Sequence, residues 1–288
     1  MTKAELFKGV LGSDEFPVEA GRYRFIWTEV CPWSHRVAIV RHLMGLTDSI
    51  SEGKLNPVIT EKGWEFSLDE GNHDPILGTR YMMESYLKTD PNYPGRATVP
   101  VIIDLTTQKI VNNESHDLMR QLALNFKEVA KADAPELYPE HLCQDIDALN
   151  AVVLDEVIGS INRMGAADTQ EVYETNYHTL FNRLDELDAR VANQDYLFGD
   201  QLTEADIRLF VALVRFDIAY YSLNLANRNR LIDFKHLWPY AKRLYQIPAF
   251  RETTNFEAIR KGFWLNHRKD NAKPIIPLGP DTSVWQAD

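Results

Sequence analysis

The stretch that most constrains this chain is Tyr23-Arg24-Phe25-Ile26-Trp27-Thr28, followed after Glu29 and Val30 by Cys31-Pro32-Trp33-Ser34-His35-Arg36. The first run is rich in aromatic and β-favouring residues and reads as a strand. From Val37 to Leu46 the apolar residues Val37, Ile39, Val40, Leu43 and Met44 can share one helical face. Strand, tight turn and helix in succession put Cys31 at a helix start, where free backbone N–H groups and the positive end of the dipole favour a thiolate. Arg36, about one turn further on, is a candidate positive charge whose direction the sequence leaves open. The competing reading is a small buried core residue, the usual fate of a free cysteine. Ser34 narrows the chemistry. A Cys-x-x-Cys pair can close its own disulfide, whereas Cys-x-x-Ser must form and release a mixed disulfide with an outside thiol.

A chain of 288 residues suits about two domains of ~100–200 residues each. With 31 basic against 42 acidic residues, the net charge of -11 argues against nucleic acid or an anionic membrane surface as a general partner. The two cysteines, Cys31 and Cys143, stand in unlike contexts, make no disulfide framework and suggest a reducing compartment. Cys143 reads as an ordinary helix residue. No apolar run approaches the ~20 residues that span a bilayer, and Met1 to Phe7 lacks the apolar core of a signal peptide. A cytoplasmic location is the expectation.

Residues 1–20 read as an irregular arm with Gly9, Gly12 and Pro17 as breakers. A first, α/β domain is expected over 21–128. After the first strand and helix, a short second strand is placed around Gly53 to Ile59, ended by a Glu61-Lys62-Gly63-Trp64 turn. The segment from Trp64 to about Gly95 is long and punctuated by Gly and Pro, with one helical stretch from about Thr79 to Lys88. Ala97 to Asp104 then reads as a strand entered through Val99-Pro100, Thr106 to Lys109 as a turn, and Lys109 to Asn113 as the partner strand. Glu114-Ser115 opens a helix to about Phe126. This order is the thioredoxin-like α/β arrangement, in which Pro100 is a candidate cis bond; a trans Pro at the first residue of a strand is the alternative.

Residues 129–140 read as a linker, and from 141 to 270 the pattern is helical. Helices are expected from about Asp145 to Ile161, Glu171 to Ala192, Glu204 to Ser222, Trp238 to Tyr245 and Phe250 to Lys261. Thr203-Glu204-Ala205-Asp206 is a capping box, with Leu202 and Ile207 as its hydrophobic staple. Asp206 therefore reads as a folding signal rather than a catalytic carboxylate. The tail over 271–288 is expected to be extended on the surface. The fold class is thus an α/β thioredoxin-like domain followed by an all-α domain.

Together these features resemble the cytosolic glutathione transferases. Cys31-Pro32-Trp33-Ser34-His35-Arg36, Gly63-Trp64, Gly95-Arg96-Ala97-Thr98-Val99-Pro100-Val101, Asn113-Glu114-Ser115, Glu204 to Phe210, Val214 to Asp217 and Leu244 to Pro248 are similar to the xi class, the glutathionyl-hydroquinone reductases. The resemblance implies a homodimer whose N-terminal domain holds glutathione as co-substrate, with no metal. It implies that Val99 pairs its backbone with the cysteinyl part, while Glu114 and Ser115 hold the γ-glutamyl end. Trp64 and Arg96 match residues that flank the tripeptide. Cys31 would attack the sulfur of a glutathionyl-hydroquinone, and a second glutathione would resolve the Cys31 mixed disulfide. The glycine end of the tripeptide is held less well by the matched residues, so γ-glutamylcysteine stays open as the thiol.

The chain departs from the family where two tyrosines face the aromatic substrate. Asn162 stands in the first position, expected in a loop after the first long helix, and Phe263 or Trp264 in the second. A phenol can protonate a leaving carbon or quinone oxygen; Phe cannot, and Asn offers only an amide. Three readings remain: a reductase of glutathionyl aromatics, a broader omega-like thioltransferase or dehydroascorbate reductase acting on disulfides, and a non-catalytic binding module of the same fold.

Overall fold

The protein was analysed as a computed structural model that describes residues 7–266 and 274–286. The first six residues of the expected arm, and positions 271–273 and 287–288 of the expected tail, lie outside the described residues. The chain divides into two compact units, Met1–Pro135 with Thr253–Gly262, and Glu136–Glu252 with Phe263–Asp288.

The first unit is built on a four-stranded sheet of β1 (Tyr23–Trp27), β2 (Ile50–Lys54), β3 (Val101–Asp104) and β4 (Lys109–Asn112), in the order β2-β1-β3-β4. β1 runs parallel to β2 and antiparallel to β3, and β3 antiparallel to β4. All five residues of β1 are buried, as befits a strand covered on both faces. Tyr23, Phe25 and Trp27 point to one face, where Tyr23 meets Phe126 edge-on and Trp27 lies on His35 of α1 (Pro32–Leu43). α1 packs there against α3 (Ser115–Asn125). Ile26 points to the other face and joins Phe66, Tyr86, Val99 and Val101, together with Met82 at the start of α2 (Met82–Thr89). The arm contributes to this unit: Gly9 N–H donates to the Val111 carbonyl, and the Phe7 ring stacks on Tyr93.

Several boundaries differ from the sequence expectation. α1 begins at Pro32, directly after Cys31, because a proline at the first helical position already has helical φ and its missing N–H has no helical partner to lose, and it ends at Leu43, short of the Leu46 to which the apolar pattern runs. The second strand lies earlier, at Ile50–Lys54, in register from Tyr23 opposite Ile50 to Trp27 opposite Lys54. Leu55 makes one last bond to the Trp27 carbonyl, and the Asn56 N–H then turns to Glu65 ahead of Pro57. Gly53 is inside this strand, where a Cβ would lie 2.4 Å from Asp74 Oδ2. β3 starts only at Val101, after a Val99–Pro100 bond that is cis.

In the second unit α4 (Cys143–Val152) continues through a π-helical stretch, Val153–Gly159, into α5 (Ser160–Gly165). α6 (Gln170–Arg190) follows, then α7 (Glu204–Arg215), a second π-helical stretch at Phe216–Tyr220 and the short α8 (Tyr221–Leu223). All 12 residues of α7 are buried, so it forms the centre of this unit rather than an amphipathic wall. Its capping box forms as expected, with Thr203 N–H donating to Asp206 Oδ2 at 2.8 Å. α9 (Leu237–Gln246) supplies Tyr240, whose hydroxyl donates to Asp206 Oδ1 at 2.9 Å.

The single helix expected over 250–261 is two, α10 (Pro248–Glu252) and α11 (Phe256–Asn266). Thr253 is drawn out of the helix by a hydrogen bond to His35 Nε2 at 3.1 Å, and Asn255 Oδ1 accepts from the Ala258 N–H to start the next one. The tail is not simply a surface strand: Trp285 is buried against Phe210, Trp238 and Tyr245. Among the described residues no helix is long and apolar enough to cross a membrane.

Candidate active site

The turn before α1 is closed by its own residues. Cys31 N–H donates to the Thr28 carbonyl at 3.1 Å, and the buried Ser34 hydroxyl reaches the Thr28 carbonyl at 3.0 Å and that of Cys31 at 3.2 Å. Ser34 thus secures the loop where a second cysteine would offer a thiol. Cys31 is the N-cap residue, with extended backbone, partial exposure and no acidic residue in the first turn of the helix. The amides of Trp33 and Ser34 in that first turn have no partner further back in the helix, and the Cys31 side chain makes no cap hydrogen bond to them.

The Cys31 Sγ lies 3.8 Å from the carbonyl oxygen of Val99, beside cis-Pro100. Tyr86 holds this segment in place. Its phenol donates to the Thr98 carbonyl at 3.0 Å and accepts from the Thr98 N–H at 3.2 Å and from Asn113 Nδ2 at 3.0 Å. Burial pushes the Tyr86 phenol above its ordinary pKa, ahead of the hydrogen bonds that oppose it, so it stays a neutral hydroxyl. One side chain therefore braces both the backbone beside Cys31 and the residue before Glu114.

At the start of α3, Asn112 Oδ1 accepts from the Glu114 N–H at 2.7 Å, and Glu114 as N-cap accepts from the His116 N–H at 3.1 Å. Ser115 is the first helical residue, and its hydroxyl oxygen accepts from a terminal guanidinium nitrogen of Arg36 at 2.5 Å. The Arg36 guanidinium also lies 4.9 Å from the centre of the Trp33 ring. The direction of Arg36, open in the sequence, is toward α3.

Trp64 and Cys31 are both partly buried against the core cluster that contains Val99. The Trp64 carbonyl accepts from the Met82 N–H at 2.9 Å. Arg96 is exposed, its carbonyl taking the Tyr93 hydroxyl at 3.3 Å. Of the expected substrate-side residues, Asn162 is exposed and lies within α5 rather than in a loop. Phe263 is nearly buried and meets Tyr220 edge-on at 5.5 Å. Trp264 Nε1 donates to the Ile218 carbonyl at 3.2 Å. Both aromatic residues thus contact the π-helical stretch Phe216–Tyr220, a backbone irregularity of a kind often found at functional sites. Both cysteines are free, and no group of three or more potential metal ligands occurs among the described residues.

Residues 30–124 match the family described as the glutathione S-transferase N-terminal domain, and residues 170–246 the glutathione S-transferase C-terminal domain. The glutathionyl-hydroquinone reductase YqjG of Escherichia coli K12 is 36% identical over 280 residues, covering 96% of this chain and 84% of that one. The glutathione-S-transferase Xi of Phanerochaete chrysosporium superposes with a TM-score of 0.92 at 37% identity over 97% of each chain. The chain belongs to the xi-class glutathione transferases. The glutathione-bound structure of YqjG is likewise similar, with a TM-score of 0.90 at 35% identity over 95% of this chain and 92% of that one.

Within this xi-class fold, the sequence singles out Cys31, Trp64, Arg96, Val99, Glu114 and Ser115 as candidates but not Tyr86, Asn112, Asn113 or the partner of Arg36. Asn112 carries a local signal, an Asx side chain placed two residues before a helix start. Tyr86 carries none, because its role depends on Thr98 and Asn113 meeting over the end of α2.

Proposed function

We propose that this xi-class transferase is a glutathione-dependent reductase that removes glutathione from glutathionyl-hydroquinones or related conjugates through a mixed disulfide on Cys31. The observation that carries the reading is the Cys31 sulfur at the head of α1, 3.8 Å from the Val99 carbonyl beside cis-Pro100. The activity named for the similar E. coli protein supports it. In this reading the backbone of Val99 pairs with the cysteinyl part of glutathione. Glu114 takes the ammonium, and Ser115 takes the γ-glutamyl carboxylate at the N-terminus of α3. Trp64 and Arg96 flank the tripeptide.

In the first step the Cys31 thiolate attacks the glutathione sulfur of the conjugate. An S–S bond forms, the aromatic C–S bond breaks, and its electron pair stays on the ring carbon, which takes a proton to give the reduced hydroquinone. A second glutathione thiolate then attacks the mixed disulfide, releasing oxidised glutathione and restoring the Cys31 thiolate. The thiol is glutathione, or γ-glutamylcysteine if the glycine end makes no contact; relative affinities for the two decide this. We read the working form as a cytoplasmic homodimer, on the family resemblance and the two free cysteines; its mass in solution tests the assembly.

A Cys31→Ala variant is expected to lose activity, and wild-type protein exposed to oxidised glutathione to gain one glutathionyl adduct on Cys31. An unmodified Cys31 would favour a binding module. A second reading has support from the residues in place of the tyrosines. Phe263 has no hydroxyl, and the Trp264 indole N–H is engaged with Ile218. A ring carbon needs a proton as it leaves, whereas a thiolate leaving from a disulfide does not. A thioltransferase acting on mixed disulfides is therefore the second reading, since it asks for no such proton donor. Turnover of a glutathionyl-hydroquinone compared with that of a small glutathione mixed disulfide separates the two.

A further inference from the structure

The last residue of the Cys31-Pro32-Trp33-Ser34-His35-Arg36 run has a geometry that the thiol chemistry does not use. Arg36 is buried, with 5% of its surface exposed, and Ser115 is buried to the same degree. A terminal guanidinium nitrogen of Arg36 lies 2.5 Å from Ser115 Oγ. A guanidinium can only donate, so the serine oxygen must be the acceptor. That fixes the hydroxyl: with a lone pair given to Arg36, its own proton points away from the guanidinium. The bond also draws electron density from the hydroxyl oxygen, which makes its O–H a stronger donor.

The charge itself is placed to matter. A buried guanidinium behind the first residue of α3 adds a full positive charge to the partial charge of the helix N-terminus, in surroundings where screening by water is weak. Trp33 lies against the guanidinium, with the ring centre 4.9 Å away. This contact favours a cation at that point and limits the conformations open to the arginine.

We propose that Arg36 is a positioning residue for the carboxylate of the γ-glutamyl group, acting through the Ser115 hydroxyl and not by touching the ligand. The inference rests on the reading that the γ-glutamyl end of the thiol sits at Glu114 and Ser115. It joins α1, which carries the nucleophile, to the α3 terminus that holds the thiol. It further implies selection for thiols bearing a carboxylate at that end.

Steady-state kinetics with glutathione varied, on wild type, Arg36→Met, Arg36→Lys, Ser115→Ala and the Arg36→Met/Ser115→Ala double variant, test this. Arg36→Met and Ser115→Ala are each expected to raise KM for glutathione about tenfold, with kcat changed less than about threefold. The double variant is expected to be no worse than the poorer single one, because both lose the same directed hydroxyl. Arg36→Lys keeps the charge and a donor and should recover part of the loss. If Ser115→Ala leaves KM and glutathione binding unchanged, the placement of the thiol is wrong and the inference falls with it. If Ser115→Ala raises KM but Arg36→Met does not, or if the two effects multiply, the placement stands and the role of Arg36 is overturned. Thermal unfolding of each variant accompanies the kinetics. Should Arg36→Met fail to fold, Arg36→Lys alone and combined with Ser115→Ala gives the same comparison, and multiplying effects again overturn the proposal.

Discussion

Arg24 and Asp74 form a buried ion pair between positions 50 residues apart, in which Nε and a terminal nitrogen of the arginine both reach Asp74 Oδ2, at 2.9 and 2.7 Å. The other carboxylate oxygen accepts from the N–H groups of Ile76 and Leu77 at 3.0 and 2.8 Å. The pair fastens the long segment after Trp64 to the Ile26 side of β1. Removing one partner leaves the other charge buried and uncompensated, so Asp74→Asn or Arg24→Met should each cost ~3–5 kcal/mol. Urea denaturation measures this. Replacing both together should cost clearly less than the sum, and additive losses would show that the two groups do not act as a pair.

Asp104 gives a pH signature. Burial pushes its carboxyl up, but the fork from Arg22 and the N–H and hydroxyl of Thr106 outweigh that and hold it below the ordinary value. A carboxyl with a depressed folded pKa stabilises the protein fully above the unfolded value of ~3.9, and that contribution is lost as pH falls through the lower folded value. Asp104→Asn should therefore flatten the fall of Tm below about pH 4 relative to wild type. Parallel Tm curves in that range would refute the assignment.

Gly262 sits where a side chain has no room. A Cβ there would lie 2.4 Å from Val30 Cγ2 and 2.8 Å from the Pro57 carbonyl. Val30 immediately precedes Cys31, so the strain of Gly262→Ala falls on the turn that carries Cys31. We expect a loss of ~1–3 kcal/mol in stability, read by thermal unfolding, together with a drop in the rate of Cys31 adduct formation. Wild-type stability and adduct rate in this variant would contradict the close approach.

Asp206 accepts from the N–H groups of Leu197 and Thr203 and from the hydroxyls of Thr203 and Tyr240. Burial raises its pKa despite these donors. With every neighbour donating, an amide in its place would oppose N–H groups to donors. Asp206→Asn should thus destabilise by ~1–3 kcal/mol although it removes a buried charge, and Thr203→Ala by ~0.5–2 kcal/mol. Equilibrium unfolding of both variants checks this, and a neutral or stabilising Asp206→Asn would count against the network.

The parts legible beforehand were those written within a few residues. Cys31-Pro32 sets a turn and a helix start because proline fixes its own φ and the cap is made by adjacent residues. Thr203 and Asp206 announce a helix because both halves of the capping box lie in one turn. Val99-Pro100 marked a special entry to β3, and the bond there is cis. Reading the second strand around Gly53 to Ile59 failed because glycine and proline punctuation is local, whereas the strand is chosen by pairing with β1.

What the sequence determined by itself was the place of Cys31 at a helix end, the two classes of structure and, through the spread of motifs, the family. Tertiary structure alone decided that Arg36 turns to Ser115 across 79 positions, that Tyr86 braces Thr98 and Asn113 at once, and that Arg24 finds Asp74. The physical reason is the range of the interactions. Caps and turns are made by neighbours in the chain. A buried polar group instead takes its partner from whatever the sheet order and helix packing bring within about 3 Å, as the cost of leaving it unsatisfied requires.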